Sequence, residues 1–535
     1  MSASSKKKLR NEQQTAKMTE KQVAEQKEAK KLTLYTTIFV VVLAVMVVFA
    51  IAIGVTRSIS NSGVRERNTV ALTVGDHEIS NAELSYFYMS AINNFNTNYG
   101  NYAAMMGLDT SKPLDEQVIN NDTGLTWADD FLNTAKDNAR SVYAMADAAE
   151  AAGFTLSEDE LAEIDTSISN MKMYATLYGY SSTKDFLKAQ YGSGATEESY
   201  KQYVTVNALA NAYYNSYSSS LTYTDVDLRA AESENYDKYS SFTYNTYYLA
   251  ASKFQAEDED DSDKAVKDAE EAANSLIGED VATVADFDAA IAALDINKDT
   301  EASSTAYTDQ QYASVSTTVR DWITDSARKE GDKTVIANTT TSTDDDGNET
   351  KTTLGYYAVF FTGSNDNTFP LVNVRHILVK FEGGTTDSTT GTTTYSDEEK
   401  NAAKEKAEEI LDEWMSGDAT EDSFAALANE KSGDGDGTTG GLYENVYPGQ
   451  MVSSFNDWCF DASRQSGNTG IIESEYGYHV MYFVGKSSTT YRDYQIESEL
   501  RSTDTQEWYD ATVEAVPMTD GNTKYIRKNL IISAN

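Results

Sequence analysis

Two stretches of this 535-residue chain repeat one another without a gap, and that repeat limits the available folds more than any other feature. "RDWITDSARKEGDKTVI" (320–336) and "NDWCFDASRQSGNTGII" (456–472) share Asp321/Asp457, Trp322/Trp458, Asp325/Asp461, Arg328/Arg464, Gly331/Gly467 and Ile336/Ile472. Each copy then reaches a matching strand, "GYYAVFFTG" (355–363) and "GYHVMYFVG" (477–485). Upstream, "FTYNTYYLAASKF" (242–254) parallels "LVNVRHILVKFE" (371–382), and each is followed by a pair of helical patterns. The same elements in the same order mean tandem α+β domains, over 240–363 and 371–487. In this alignment Tyr247 and Tyr357 stand where the second copy has His376 and His479. The chain holds only three histidines, so the copies are expected to differ in chemistry rather than in fold.

The N-terminus addresses the chain to a membrane. Residues 1–31 carry nine Lys/Arg against four Glu and read as a basic cytoplasmic tail; 32–56 then run 25 residues without a charge. That length can cross a ~30 Å hydrocarbon core, and it exceeds the apolar region of a cleaved signal peptide. The basic flank predicts a single-pass anchor with an N-terminus in the cytoplasm and residues 57–535 outside. Past residue 56 there remain 34 Lys/Arg and 81 Asp/Glu, about −47. Such a field disfavours nucleic acid as a partner. The single cysteine, Cys459, excludes both an internal disulfide framework and a lipid anchor after the apolar run, and fits a Gram-positive bacterium. With three dispersed histidines and no second cysteine, no metal set is legible, and "DGDGTTGGLYE" (434–444) lacks the sixth-position Gly and twelfth-position Glu of a calcium loop.

From 57 to 239 the pattern is mostly helical. "VALTVGDHEIS" (70–80) predicts a hairpin turning at Gly75-Asp76 with His77 on its exposed edge, and Ser80–Glu83 matches a capping box. Tyrosine is unusually frequent here, either to fill helix interfaces or to offer an adaptable surface to apolar segments. After 487 a closing helix is expected over 488–515, completing this helical domain, and then a short tail to 535.

Several motifs of the second copy occur together in one family. "VRHILVK" lies on its first strand, "FAALANEKSGD" on a helix entering a loop, then "GQMVSSFNDWCFD", and "YGYHVMYFV" on its last strand. Over about 115 residues this copy resembles a parvulin-type (rotamase, PpiC) peptidyl-prolyl cis–trans isomerase domain. The whole arrangement resembles membrane-anchored foldases of the PrsA and SurA kind, which join a helical chaperone domain to parvulin modules. The resemblance implies catalytic roles for His376, His479 and Asp434, and a proline-binding slot made by Leu378, Met451, Phe455 and Tyr476. It implies no cofactor. The usual "GGDLG" run is replaced by "GGLYENV" (440–446), which loses an Asp and gains Tyr443. The loop after the first strand is acidic and Thr-rich, unlike the basic cluster of phosphate-directed relatives. The first copy lacks both histidines, and no equivalent of Asp434 or of the Met/Phe pair is evident in it, so it is expected to be inactive.

Those implications agree with what the reaction needs. Rotating an X–Pro bond means losing amide resonance, a barrier of about 18–20 kcal/mol, and no bond is made or broken. An apolar grip on the pyrrolidine ring and a fixed charge near the carbonyl suffice. The expected function is an extracytoplasmic foldase that isomerises X–Pro bonds of unfolded or partly folded secreted proteins. A holdase chaperone or surface scaffold with catalytically silent parvulin folds is the alternative.

Overall fold

A computed structural model describes residues 63–255, 262–343, 347–388, 390–435 and 437–532; the expected tail and membrane anchor lie outside them. Among the described residues no helix is long and apolar enough to cross a membrane. The chain is α+β, and its described residues fall into two units, 63–222 with 500–532, and 223–499.

In the first unit a hairpin of β1 (Val70–Val74) and β2 (His77–Ser80) turns at Gly75, where φ is +55°. Helices α1 (Asn81–Tyr99), α2 (Trp127–Ala151), α3 (Glu158–Leu177), α4 (Thr183–Tyr191) and α5 (Glu197–Ser220) follow. Ser80 Oγ caps α1 by accepting from the Glu83 amide, and the Glu83 carboxylate takes both the Ser80 backbone and the Tyr143 hydroxyl. His77 lies on the edge strand, partly exposed, and its Nε2 is 2.7 Å from Asp147 Oδ1 on α2. Much of the tyrosine excess is packing. Tyr86, Tyr191 and Tyr200 are buried and meet edge-on or tilted at 4.9–5.4 Å, which favours aromatic quadrupoles over a flat sandwich.

The second unit begins with α6 (Asp225–Glu234) and contains two modules of one design. The first holds β3 (Ser241–Ala250), α7 (Ser262–Ser275), α8 (Val284–Ala293), β4 (Thr305–Gln311), α9 (Thr317–Ile323), β5 (Lys333–Thr343) and β6 (Glu349–Asn365). The second holds β7 (Pro370–Lys380), α10 (Asp397–Ser416), α11 (Glu421–Lys431), β8 (Leu442–Val446), α12 (Ser453–Cys459), β9 (Thr469–Ser474) and β10 (Gly477–Thr490). Their antiparallel sheets are ordered β4-β3-β6-β5 and β8-β7-β10-β9. Two long helices cover one face and the short helix the other, so the central strands are apolar on both sides. Then come α13 (Tyr491–Glu514) and β11 (Met518–Asp520), which pairs with β1.

The repeated residues prove to be structural. Arg328 lies over the Trp322 ring at 4.2 Å and Arg464 over Trp458 at 4.0 Å, each also paired with the Asp three residues before it. Gly331 and Gly467 adopt φ of +87° and +85°, and their amides donate to Phe361 and Phe483 at 2.9 and 2.8 Å. Strand pairing corrects one alignment. Gly355 pairs with Ala250 as Gly477 pairs with Lys380, so Tyr357 does match His479, but Thr246, not Tyr247, matches His376. Tyr247 corresponds to Ile377 on the opposite face, since one residue of slip in a strand turns every side chain over.

The junction between the modules is tied down. Asn367, with φ of +58°, is buried; its Nδ2 donates to Tyr239 O, its Oδ1 accepts from Ser241 Oγ, and its carbonyl accepts the Arg492 amide at 2.7 Å. The Arg492 guanidinium, fully buried, binds Glu232, the carbonyls of Asp366 (2.9 Å) and Tyr236 (2.6 Å), and the Tyr236 ring.

Candidate active site

The site grows from the two central strands of the second module. His376 on β7 pairs with Met481 and Leu378 pairs with His479, so His376, Leu378 and His479 share one face of the sheet. Both rings are buried, their centroids 5.1 Å apart, with Nδ1 facing Nδ1 at 3.0 Å. Phe455, projecting from α12, meets both edge-on, at 5.4 Å from His376 and 5.7 Å from His479. Met451 packs in the same apolar cluster, four residues before Phe455.

Asp434 arrives on the loop after α11. Ser432 Oγ accepts the amides of Leu378 and Asp434, and the Gly433 amide donates to the Leu378 carbonyl at 2.7 Å. These bonds place Asp434 Oδ2 at 2.9 Å from His376 Nε2 and 2.6 Å from the Tyr443 hydroxyl. At the far end His479 Nε2 meets Ser474 Oγ at 2.7 Å. The bond to His376 holds the Asp434 carboxyl well below the usual carboxylate range, against its burial and with help from Tyr443. Burial pushes His479 down to about 3, and the nearby His376 adds to that, so this ring is neutral at neutral pH. An ionised carboxylate only accepts, so His376 Nε2–H donates to Asp434, and a single proton shared across the Nδ1–Nδ1 contact joins the two rings.

Six of the seven residues anticipated for the site lie in or beside this arrangement; Tyr476 does not. It occupies the β9–β10 turn with its side chain 58% exposed, and only its amide faces inward, donating to Ser474 Oγ. The hydroxyl that bonds His479 belongs to Ser474, which sequence reasoning missed. The signal was there: across the two-residue turn Ser474 pairs with Gly477, which lies two before His479 and so shares its face. Ser432 was also missed. Cys459 is buried, which pushes its thiol up, as expected of an inert side chain.

The first module keeps the frame without this chemistry. Thr246 and Tyr357 replace the two histidines, and Val315 before α9 and Val319 on it stand where the second module has Met451 before α12 and Phe455 on it, so the Met/Phe pair has counterparts in place though not in kind.

Residues 360–487 match the family model described as the PPIC-type PPIASE domain. Among solved structures, similar chains are PrsA proteins of three bacilli. The peptidylprolyl isomerase PrsA of Bacillus anthracis is 21% identical over 28% of this chain and 59% of its own, with a TM-score of 0.17. The peptidylprolyl isomerase PrsA of Bacillus cereus is 26% identical over 28% and 49%, with a TM-score of 0.18. PrsA of Bacillus subtilis is 15% identical over 75% and 90%, with a TM-score of 0.24. No curated protein matches the chain. The second module, with its paired histidines and capping carboxylate, is a parvulin-type domain of the PPIC family.

Proposed function

We propose that this chain is an extracytoplasmic foldase whose second module isomerises X–Pro bonds in secreted proteins. The observation that carries the reading is the chain Ser474–His479–His376–Asp434 beside the Phe455 ring. Phe455, Met451 and Leu378 form the apolar slot for the pyrrolidine ring, and Asp434 stands near the carbonyl of the preceding residue. A planar amide places resonance charge on that oxygen and a twisted one withdraws it. An ionised carboxylate therefore repels the ground state more than the transition state and lowers the barrier. The histidines keep that carboxylate ionised and aimed; no proton needs to move. Uncatalysed isomerisation takes tens of seconds or longer, so even modest stabilisation of the twisted amide shortens folding.

The rest of the reading concerns partners and place. The helical unit, with Tyr102, Met105 and Met106 exposed, holds unfolded or partly folded secreted chains. The apolar run at 32–56 anchors the protein by one membrane pass, with the acidic bulk outside the cell membrane of a Gram-positive bacterium.

Proline-limited refolding of a client with the full chain tests this. Acceleration is expected, together with its loss in His376→Ala/His479→Ala. If the unaltered chain leaves the uncatalysed rate unchanged, the enzyme reading fails and the holdase reading remains. Light scattering of an aggregating client then tests the holdase: no suppression would leave the helices without that role.

A further inference from the structure

Tyr443 stands out because it does something its counterpart in the first module does not. The two edge strands β4 and β8 are built alike. Tyr307 pairs with Tyr244 as Tyr443 pairs with Val374, and each strand then bulges through a residue in the left-handed region, Asp309 (φ +46°) and Asn445 (φ +54°). Each bulge is pinned the same way: the Asp309 amide donates to Thr243 Oγ1 at 3.1 Å and the Asn445 amide to Asn373 Oδ1 at 2.8 Å. In the first module Tyr307 stacks flat on Tyr244, centroids 4.8 Å apart and 15° between planes. In the second a valine takes the place of Tyr244, and the edge tyrosine reaches elsewhere. Its ring meets His376 edge-on at 4.9 Å and its hydroxyl donates to Asp434.

The backbone makes that reach stiff. Gly441 has φ of +62° and a Cβ there would meet the His376 carbonyl at 2.2 Å; the carbonyl of Gly441 accepts the His376 amide at 2.9 Å. Strand β8 is thus locked to the strand that carries His376. His376 Nε2 and the Tyr443 hydroxyl converge on one oxygen of Asp434, Oδ2, from two sides. A carboxylate held by one donor can swing about its last side-chain torsion, whereas two donors on a single oxygen fix the plane and the direction of Oδ1.

We infer that Tyr443 is a positioning residue for the isomerase reaction: its hydroxyl fixes the Asp434 carboxylate at the angle from which it acts on the prolyl carbonyl. The inference rests on the isomerase reading above. Because Tyr443 acts through Asp434, its contribution disappears when Asp434 can no longer act.

The test is a double-mutant cycle on the full chain, assayed by isomerisation of a proline peptide. Tyr443→Phe keeps the ring and loses the hydroxyl; it is expected to lower kcat about three- to tenfold with KM within twofold, in line with a lost charge-assisted hydrogen bond. Asp434→Asn loses more. The two losses are expected not to add, so the double variant stays within twofold of Asp434→Asn alone. A Tyr443→Phe variant as active as the unaltered chain overturns the inference, and so do losses that multiply. An unaltered chain without activity sinks the isomerase reading instead, a separate outcome visible in the first measurement. Imidazole nitrogen spectra add a readout that needs no turnover: the His376 Nε2–H resonance should shift in Tyr443→Phe, and an unmoved resonance would show that the hydroxyl does not bear on Asp434.

Discussion

The two modules of the second unit are the same building with different rooms. Both have the four-stranded order, the Arg–Trp stack, the left-handed glycine before the third strand and the pinned bulge on the edge strand. What differs is one face of the sheet, where Thr246, Tyr357, Val315 and Val319 stand against His376, His479, Met451 and Phe455. A fold that stands with threonine and tyrosine at those places does not need imidazoles for stability. Their burial in one copy, at a cost in desolvation, therefore points to use.

The sharpest way to break that comparison is to make the second module look like the first. His376→Thr/His479→Tyr should remove isomerase activity by about two to three orders of magnitude, the usual cost of losing a preorganised electrostatic contact, while the domain stays folded. A variant that unfolds would mean the histidines are structural after all. Next in size is a device the modules share. Gly355 (φ +154°) and Gly477 (φ +143°) each leave no room for a Cβ, which would meet Leu249 O at 2.2 Å or Val379 O at 2.1 Å. Gly355→Ala and Gly477→Ala should each cost about 1–3 kcal/mol, read from urea midpoints with fluorinated Trp322 and Trp458 as separate reporters. Unequal costs would show that the scaffolds are less alike than their strand pairing.

Acid should divide the modules. His479 sits near 3 when folded against 6.5 unfolded, so between those values the unfolded chain binds more protons and folding weakens as pH falls. From pH 7 to pH 5 the second module should lose about 2 kcal/mol, with Asp434 adding to the loss only below pH 3.8. Thr246 and Tyr357 contribute no such term to the first module. Equal acid sensitivity of the two fluorine reporters would contradict the assignment of a buried neutral imidazole. The smallest effect is the control for the edge tyrosines: Tyr307→Phe should change stability by less than about 0.5 kcal/mol, because its hydroxyl accepts and donates nothing among the described residues. A larger change would give Tyr307 a role of its own.

How far the sequence could be read depends on what kind of information each feature carries. The tandem repeat was legible because Trp322, Arg328 and Gly331 serve local geometry, and local geometry leaves side-chain signatures. The histidine pair was legible through its motifs. The partner of His376 in the first copy was misplaced by one residue, because matching ring to ring put Tyr247 there. The true register shows only in the strand pairing, Ala250 with Gly355 and Lys380 with Gly477, a backbone feature that side-chain similarity does not display. Tyr476 and Ser474 exchanged roles for a related reason: which hydroxyl points inward depends on the phase of a two-residue turn. The second donor to Glu83, the hydroxyl of Tyr143, comes from sixty residues away and leaves no trace in the local motif. Contacts of that kind exist only after folding.

The segment "SNDNTF" (364–369) has the composition of a place to cut. Its bonds to Tyr239, Ser241, Tyr491 and Arg492 make it a clasp instead. Anyone dissecting the chain into single modules there would strand the Arg492 guanidinium, fully buried, without the Asp366 carbonyl that helps hold it. A hydrogen bond to a buried charged group is worth about 1.5–3 kcal/mol, a sizeable part of the stability of a small domain. The amides of Tyr491 and Arg492, which clasp the segment, should accordingly exchange with solvent as slowly as those of the central strands. A protease probing the folded protein would have to look elsewhere for its entry.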